Sequence, residues 1–94
     1  MASVIVTPTA QRNLELLIES HSLPASTKER LRIALDPLHR FPLLGAGLEE
    51  RWAGFRFILG PWRWMLVVYR YEEEADQLAI VAIADGRSAR APTS

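Results

Sequence analysis

The chain has no cysteine, which excludes a disulfide framework and any thiolate metal site. Its eleven basic side chains include a single lysine, Lys28, and eleven acidic ones balance them to a formal net charge of zero. A protein that lives mainly on nonspecific phosphate attraction is therefore not expected. No apolar run approaches membrane-spanning length, and Met1-Ala2-Ser3-Val4 lacks the basic start and long apolar core of a signal peptide. The expectation is a cytoplasmic protein with no membrane contact. His21 and His39 do not have metal-ligand spacing. The sequence also shows no phosphate-binding glycine loop, Ser-His-Asp arrangement or metal motif, so neither cofactor nor metal is expected.

What is present suits one small domain. Ninety-four residues, 49% of them hydrophobic, lie near the lower limit for a self-supporting core. Residues 1–87 read as that domain and 88–94, small, polar and proline-containing, as a flexible C-terminal tail. Ten of the basic residues are arginine. The guanidinium is a planar fork suited to carboxylates and phosphates, but an arginine-favouring codon bias, which the many alanines fit, takes the larger share of that preference.

Val4-Ile5-Val6 reads as a first strand, followed by Thr7 as cap and Pro8 at the first helical position. Ala10, Leu14, Leu17, Ile18 and His21 form one apolar stripe of a helix ending near Ser20 or His21. Ser26 to Glu29 has capping-box spacing and opens a second helix, from Thr27 to about His39. That helix buries Leu31, Leu35 and Leu38, with help from Ile33 or Ala34. Pro37 implies a kink, or a break after Leu35 with Asp36 capping a final turn. The loop Phe41 to Gly47 is expected to tuck its apolar side chains against the core.

The second half reads as a β meander: strands over Leu48–Leu59, Arg63–Tyr71 and Gln77–Ala84, with turns at Gly60-Pro61 and at Glu72 to Asp76. The fold class is α+β, in the order β-α-α-β-β-β, with an antiparallel sheet and two helices packed on one face. The Arg63 strand is apolar enough to be buried on both faces for most of its length. By alternation Arg63, Met65, Val67, Tyr69 and Tyr71 share one face and Trp62, Trp64, Leu66 and Val68 the other. The uncovered sheet face is therefore expected to be a cleft or partner surface.

Arg63 opens the second meander strand, and Arg87 follows the third in Asp85-Gly86-Arg87. Neighbouring strands would place both arginines near one sheet end. The plainer alternative pairs Arg63 with Asp85 or Glu49, and makes Arg87 an ordinary residue after a glycine turn. Tyr69 reads as core and Tyr71 as nearer the surface. Trp52, Trp62 and Trp64 could stack on bases, although packing is the commoner use of tryptophan.

The ordered set Val-Ile-Val-Thr-Pro-Thr-Ala, Ala34-Leu35-Asp36-Pro37-Leu38, Phe41-Pro42, Gly54-Phe55-Arg56-Phe57-Ile58-Leu59-Gly60-Pro61-Trp62-Arg63, Val68-Tyr69 and Asp85-Gly86-Arg87 resembles the RelE/ParE superfamily. These are bacterial toxins of type II toxin–antitoxin pairs, associated with plasmid stabilisation, and the resemblance spans nearly the whole chain. It implies a small cognate antitoxin as partner and one of two targets. RelE-like members enter the ribosomal A site and cut mRNA, whereas ParE-like members poison DNA gyrase.

For a metal-independent endoribonuclease, the resemblance makes Arg63 and Arg87 the catalytic pair, stabilising phosphate charge as a 2′-hydroxyl attacks. Arg51, Arg56, Tyr71 and Trp62 would then be binding residues. The chain departs from that pattern: it has no lysine in the Leu48–Leu59 region, and no tyrosine or histidine follows Arg87 to complete an acid/base set. The expectation is a ParE-like or catalytically altered toxin. The alternatives are an mRNA interferase using Arg63 and Arg87, and a non-toxic interaction module that forms a homodimer through the hydrophobic sheet face or edge. A general RNA-binding α+β domain is the weakest reading.

Overall fold

Thr7 fixes the first junction of the chain. Its backbone is extended, its hydroxyl oxygen accepts the Ala10 N–H at 3.3 Å, and its O–H donates to the Ile80 carbonyl at 2.8 Å. One side chain thus caps a helix and ties it to a strand distant in sequence. The computed structural model describes residues 1–87; the expected tail at 88–94 lies outside the described residues.

The elements are β1 (Ser3–Val6), α1 (Pro8–Ser20), α2 (Thr27–Leu35), a short α3 (Pro37–Arg40), β2 (Ala46–Gly47), β3 (Arg56–Leu59), β4 (Met65–Glu72) and β5 (Gln77–Asp85). They build one five-stranded sheet in the order β1-β5-β4-β3-β2. All pairings are antiparallel except β1 with β5, which is parallel. The sheet is therefore mixed: the chain leaves β1 through the helical segment and returns to pair with it only at β5, in the same direction. The expected α+β class, with helices on one face of the sheet, holds; α3 and β2 add to the expected order, and the parallel β1–β5 pairing makes the sheet mixed where a wholly antiparallel one is expected.

The core lies between helices and sheet. Ala10 and Leu14 of α1, Leu31 and Leu35 of α2, and Leu38 of α3 pack on Met65, Val67, Tyr69, Leu78, Ile80 and Ile83. Full burial of each large aliphatic side chain contributes about 1.5–3 kcal/mol. A bulge preserves this face along β5. Val68 lies opposite Ala82 but Tyr69 lies opposite Ile80, so Val81 is the extra residue. Ile80 and Ile83 thereby both turn to the helices, and Asp85, opposite Met65, ends β5 on that side.

Several local expectations are corrected. The strand expected over Leu48–Leu59 is β3 alone; Glu50–Trp52 is a 3-10 turn. Glu50 and Gly54 both have positive φ, +57° and +93°, which breaks extended pairing there. Arg63 does not open a strand. Gly60 N–H bonds Met65 O and Met65 N–H bonds Trp62 O, so residues 61–64 form the turn and β4 begins at Met65. Within β4, Met65 to Tyr69 are buried or half-buried on both faces, as expected for most of the strand, and only Arg70 and Glu72 are exposed.

The capping box is not formed. Ser26 makes no side-chain cap bond; Glu29 binds Arg32 instead, and the buried Thr27 donates its hydroxyl to Pro24 O at 2.7 Å. Pro37 breaks the helix after Leu35, although Asp36 caps nothing with its side chain. Ile33 is exposed and Ala34 takes the half-buried position. The Phe41–Gly47 loop does not tuck in: Phe41, Leu43 and Leu44 face solvent.

Candidate functional site

The sheet end carrying Met65 and Asp85 gathers the most chemistry. Asp85 is the hub. Its Oδ1 accepts the Arg87 backbone N–H at 2.9 Å and Nε at 3.1 Å, and its Oδ2 accepts Arg87 Nη2 at 3.1 Å. His21, the C-cap of α1, places Nε2 at 2.9 Å from the same Oδ2. Arg87, and His21 after it, hold the Asp85 carboxyl well below the usual carboxylate range. An ionised carboxylate only accepts, so His21 Nε2 is the donor. Ser20 Oγ lies 2.9 Å from His21 Nδ1.

A Ser20–His21–Asp85 hydrogen-bonded chain thus forms, contrary to the expectation that no such arrangement exists. Its physical role here is to bind the end of α1 to the end of β5. Trp64 completes the cluster: the His21 ring stacks on it at 4.7 Å and the Arg87 guanidinium lies 4.9 Å from its ring centre. The Gly86 N–H donates to Trp64 O at 2.6 Å.

Arg63 sits in the turn before β4 and Arg87 just after β5, so both flank the sheet end where Met65 pairs with Asp85. Arg63 is exposed and makes no ion pair among the described residues. It does not pair with Asp85 or Glu49; Asp85 belongs to Arg87 and His21. Arg51 is exposed in the 3-10 turn. Arg56 is half-buried, and its Nη1 donates to Gly45 O at 2.8 Å and Leu43 O at 3.4 Å, holding the loop before β2.

Trp62 is half-buried, with Trp64 at 6.3 Å and the Arg30 guanidinium at 5.7 Å from its ring. The Tyr71 hydroxyl donates to Asp76 Oδ1 at 2.7 Å, and this bond raises the phenol pKa. Tyr69 is core as expected: its oxygen accepts the Gly45 N–H at 2.9 Å, and burial raises its pKa. These contacts leave the expected site residues dispersed. Arg51 and Arg63 present open cations; Arg56, Arg87 and Tyr71 have protein partners.

A second feature lies beside the kinked helical pair, where the sequence leads one to expect a groove for an antitoxin helix or added strand. A groove of about 430 Å³ runs between β1, α1 and α2. Val4, Val6, Leu14, Leu31 and Leu35 make it apolar, and Glu15, Lys28 and Arg32 supply charge along it. Lys28 lies 3.9 Å from Glu15, and Arg32 is paired to Glu29. The groove adjoins β1, an edge strand of the sheet, where an incoming segment can add to the ladder; the Val6 carbonyl at the end of β1 accepts a hydrogen bond from Gln11 Nε2 at 3.0 Å. Among the described residues no three metal-ligating side chains cluster, and no helix is long and apolar enough to cross a membrane.

Solved toxin structures share this architecture. The toxin–antitoxin complex RelBE2 from Mycobacterium tuberculosis contains a chain 26% identical to this one, covering 89% of this chain and 96% of its own, at a TM-score of 0.61. A metal-bound toxin from Helicobacter pylori superposes at 0.70, with 16% identity over 93% of this chain and 97% of its own. A chain of the chromosomal ParDE system from P. aeruginosa superposes at 0.67, with 18% identity over 90% of this chain and 96% of its own. No curated protein matches the chain. The family model described as the ParE toxin of the type II toxin–antitoxin system parDE matches residues 4–90, and the chain belongs to that family within the RelE/ParE toxin superfamily.

Proposed function

We propose that this type II toxin arrests growth by binding a protein target, with DNA gyrase the favoured one, and does not cut mRNA. The observation that carries this reading is the engagement of Arg87. A phosphate-stabilising arginine needs its fork free for the oxygens on which charge develops, whereas the Arg87 fork is closed on Asp85 through Nε and Nη2. Arg63 alone offers a charge without an acid/base partner. Induction in a bacterial host, with DNA breaks and mRNA ends mapped together, tests this. DNA damage with intact message supports it, and message cleavage opposes it.

The cognate antitoxin is the proposed occupant of the β1–α1–α2 groove. An extended segment with apolar residues at alternate positions would add to the β1 edge and fill the groove. Acidic residues on that segment would meet Lys28 and Arg32. Co-expression with the antitoxin encoded beside the toxin restores growth on this reading, and substitutions in the groove weaken the complex.

A further inference from the structure

We propose that Arg30, Trp62, Arg63 and Trp64 form the surface that docks the toxin's target through an acidic segment of that target, a step that rests on the target's being a protein. The Arg30 guanidinium, carried by α2, lies 5.7 Å from the Trp62 ring centre. The Trp62 and Trp64 rings stack at 6.3 Å, and the Arg87 guanidinium lies 4.9 Å from Trp64. Two tryptophans thus stand together with a cation on each. Arginine and tryptophan are residue types on which binding energy concentrates at interfaces. The turn carrying them is fixed from behind. Gly60 N–H bonds Met65 O at 2.8 Å, Met65 N–H bonds Trp62 O at 3.0 Å, and Gly86 N–H bonds Trp64 O at 2.6 Å. A turn held this way has little ordering left to lose on binding.

The unmatched charge selects the partner. Arg30 and Arg63 are exposed, and neither has an ion pair among the described residues. Asp85 offsets Arg87 and is shared with His21, and its side chain is only 10% exposed. Glu29, beside Arg30 in the chain, binds Arg32. A guanidinium that meets a ring through its face keeps its N–H edge for a planar acceptor, so Arg30 can take a carboxylate without leaving Trp62. A nucleic-acid base is less well served. Trp64 already carries His21, stacked at 4.7 Å, as well as Arg87, and Trp62 carries Arg30 and Trp64. A base would have to displace one of these groups to stack. The surface is also separate from the β1–α1–α2 groove, which Lys28 and Arg32 line and Arg30 does not. Arg30 is two residues from each of them, a spacing that turns it to another side of the helix.

The test titrates the whole protein into two peptides bearing the same dye, a short Glu/Leu sequence and its counterpart with every glutamate replaced by glutamine. A single-stranded oligothymidylate of matched charge is titrated beside them. The acidic peptide binds about tenfold more tightly than the neutral one or better. It shifts the indole N–H signals of Trp62 and Trp64 and leaves that of Trp52 in place. Arg30→Gln/Arg63→Gln removes the preference for the acidic peptide, while Lys28→Gln/Arg32→Gln keeps it. Circular dichroism checks each variant; if the Arg30/Arg63 variant is unfolded, Arg30→Gln alone replaces it. Absence of binding, equal binding of both peptides, or tighter binding of the oligonucleotide overturns the proposal. So does a preference that survives in the Arg30/Arg63 variant and is lost in the Lys28/Arg32 variant, which would assign the acidic peptide to the groove. The mapping of DNA breaks and mRNA ends is a separate readout. Message cleavage overturns the protein-target reading even where the acidic peptide binds, and a peptide that fails to bind overturns this docking surface while that reading stands.

Discussion

Asp85 and Arg87 form a two-pronged ion pair across a single intervening glycine, with both carboxylate oxygens 3.1 Å from guanidinium nitrogens. His21 shares one of those oxygens, so the pair also holds the end of α1 against the sheet. An arginine that reads from sequence as an open cation is thereby an internal fastener of the sheet end. The same contact gives the protein an acid-sensitive element.

The depressed Asp85 pKa, caused first by Arg87, fixes the sign of that sensitivity. The unfolded chain takes up the proton more readily than the folded one. The stabilisation is therefore fully present above the unfolded carboxylate value, about 3.9. It is lost as pH falls below that value towards the folded one. Urea midpoints measured from about pH 5 to about pH 2 fall in the wild type, and fall less steeply in Asp85→Asn.

Gly45 is a packing constraint. A Cβ there would lie 2.6 Å from Phe57 O and 2.8 Å from the Tyr69 hydroxyl. Gly45→Ala is expected to cost about 1–3 kcal/mol by overpacking. Tyr69→Phe removes the acceptor of the buried Gly45 N–H and costs about 1–3 kcal/mol. Because the two share one contact, the double variant loses less than the sum. Denaturant unfolding of the three variants measures this.

The proposed antitoxin groove has a charge test. Lys28→Glu/Arg32→Glu leaves the fold intact, because both side chains are exposed, and weakens antitoxin binding about tenfold or more. Ile33→Ser, on the same helix but outside the groove, leaves the affinity unchanged. Calorimetry at two salt concentrations reads both, with the wild-type affinity falling as salt rises.

Periodic features were legible from sequence. The Ala10–Leu14 stripe, the break at Pro37 and the acidic turn between β4 and β5 all follow from local chemistry that one segment carries by itself. The segment before β3 was not legible: its residues suit a strand, and only the positive φ of Glu50 and Gly54 ends the pairing. Loop 41–44 misled for a different reason. Apolar side chains suggest burial, but polar contacts to Gly45 hold this loop from behind and leave them outside.

At the candidate site, the position of Arg87 beyond a strand end was readable, but its engagement was not. Asp85 stands two residues away, yet a sequence does not say which arginine it takes. His21 reaches Asp85 across 64 residues, a contact that no local pattern announces. The bulge at Val81 also matters, because without it Asp85 would point to the other face of β5.

The most direct measurement is transcriptome-wide mapping of mRNA 5′ ends shortly after tight induction of the toxin in a bacterial host, with growth followed in the same culture. Growth arrest with no new codon-phased mRNA ends is the predicted result. Arrest accompanied by ends phased to codons, and lost in Arg63→Ala/Arg87→Ala, would contradict the account and make Arg87 a catalytic group that leaves Asp85 to act.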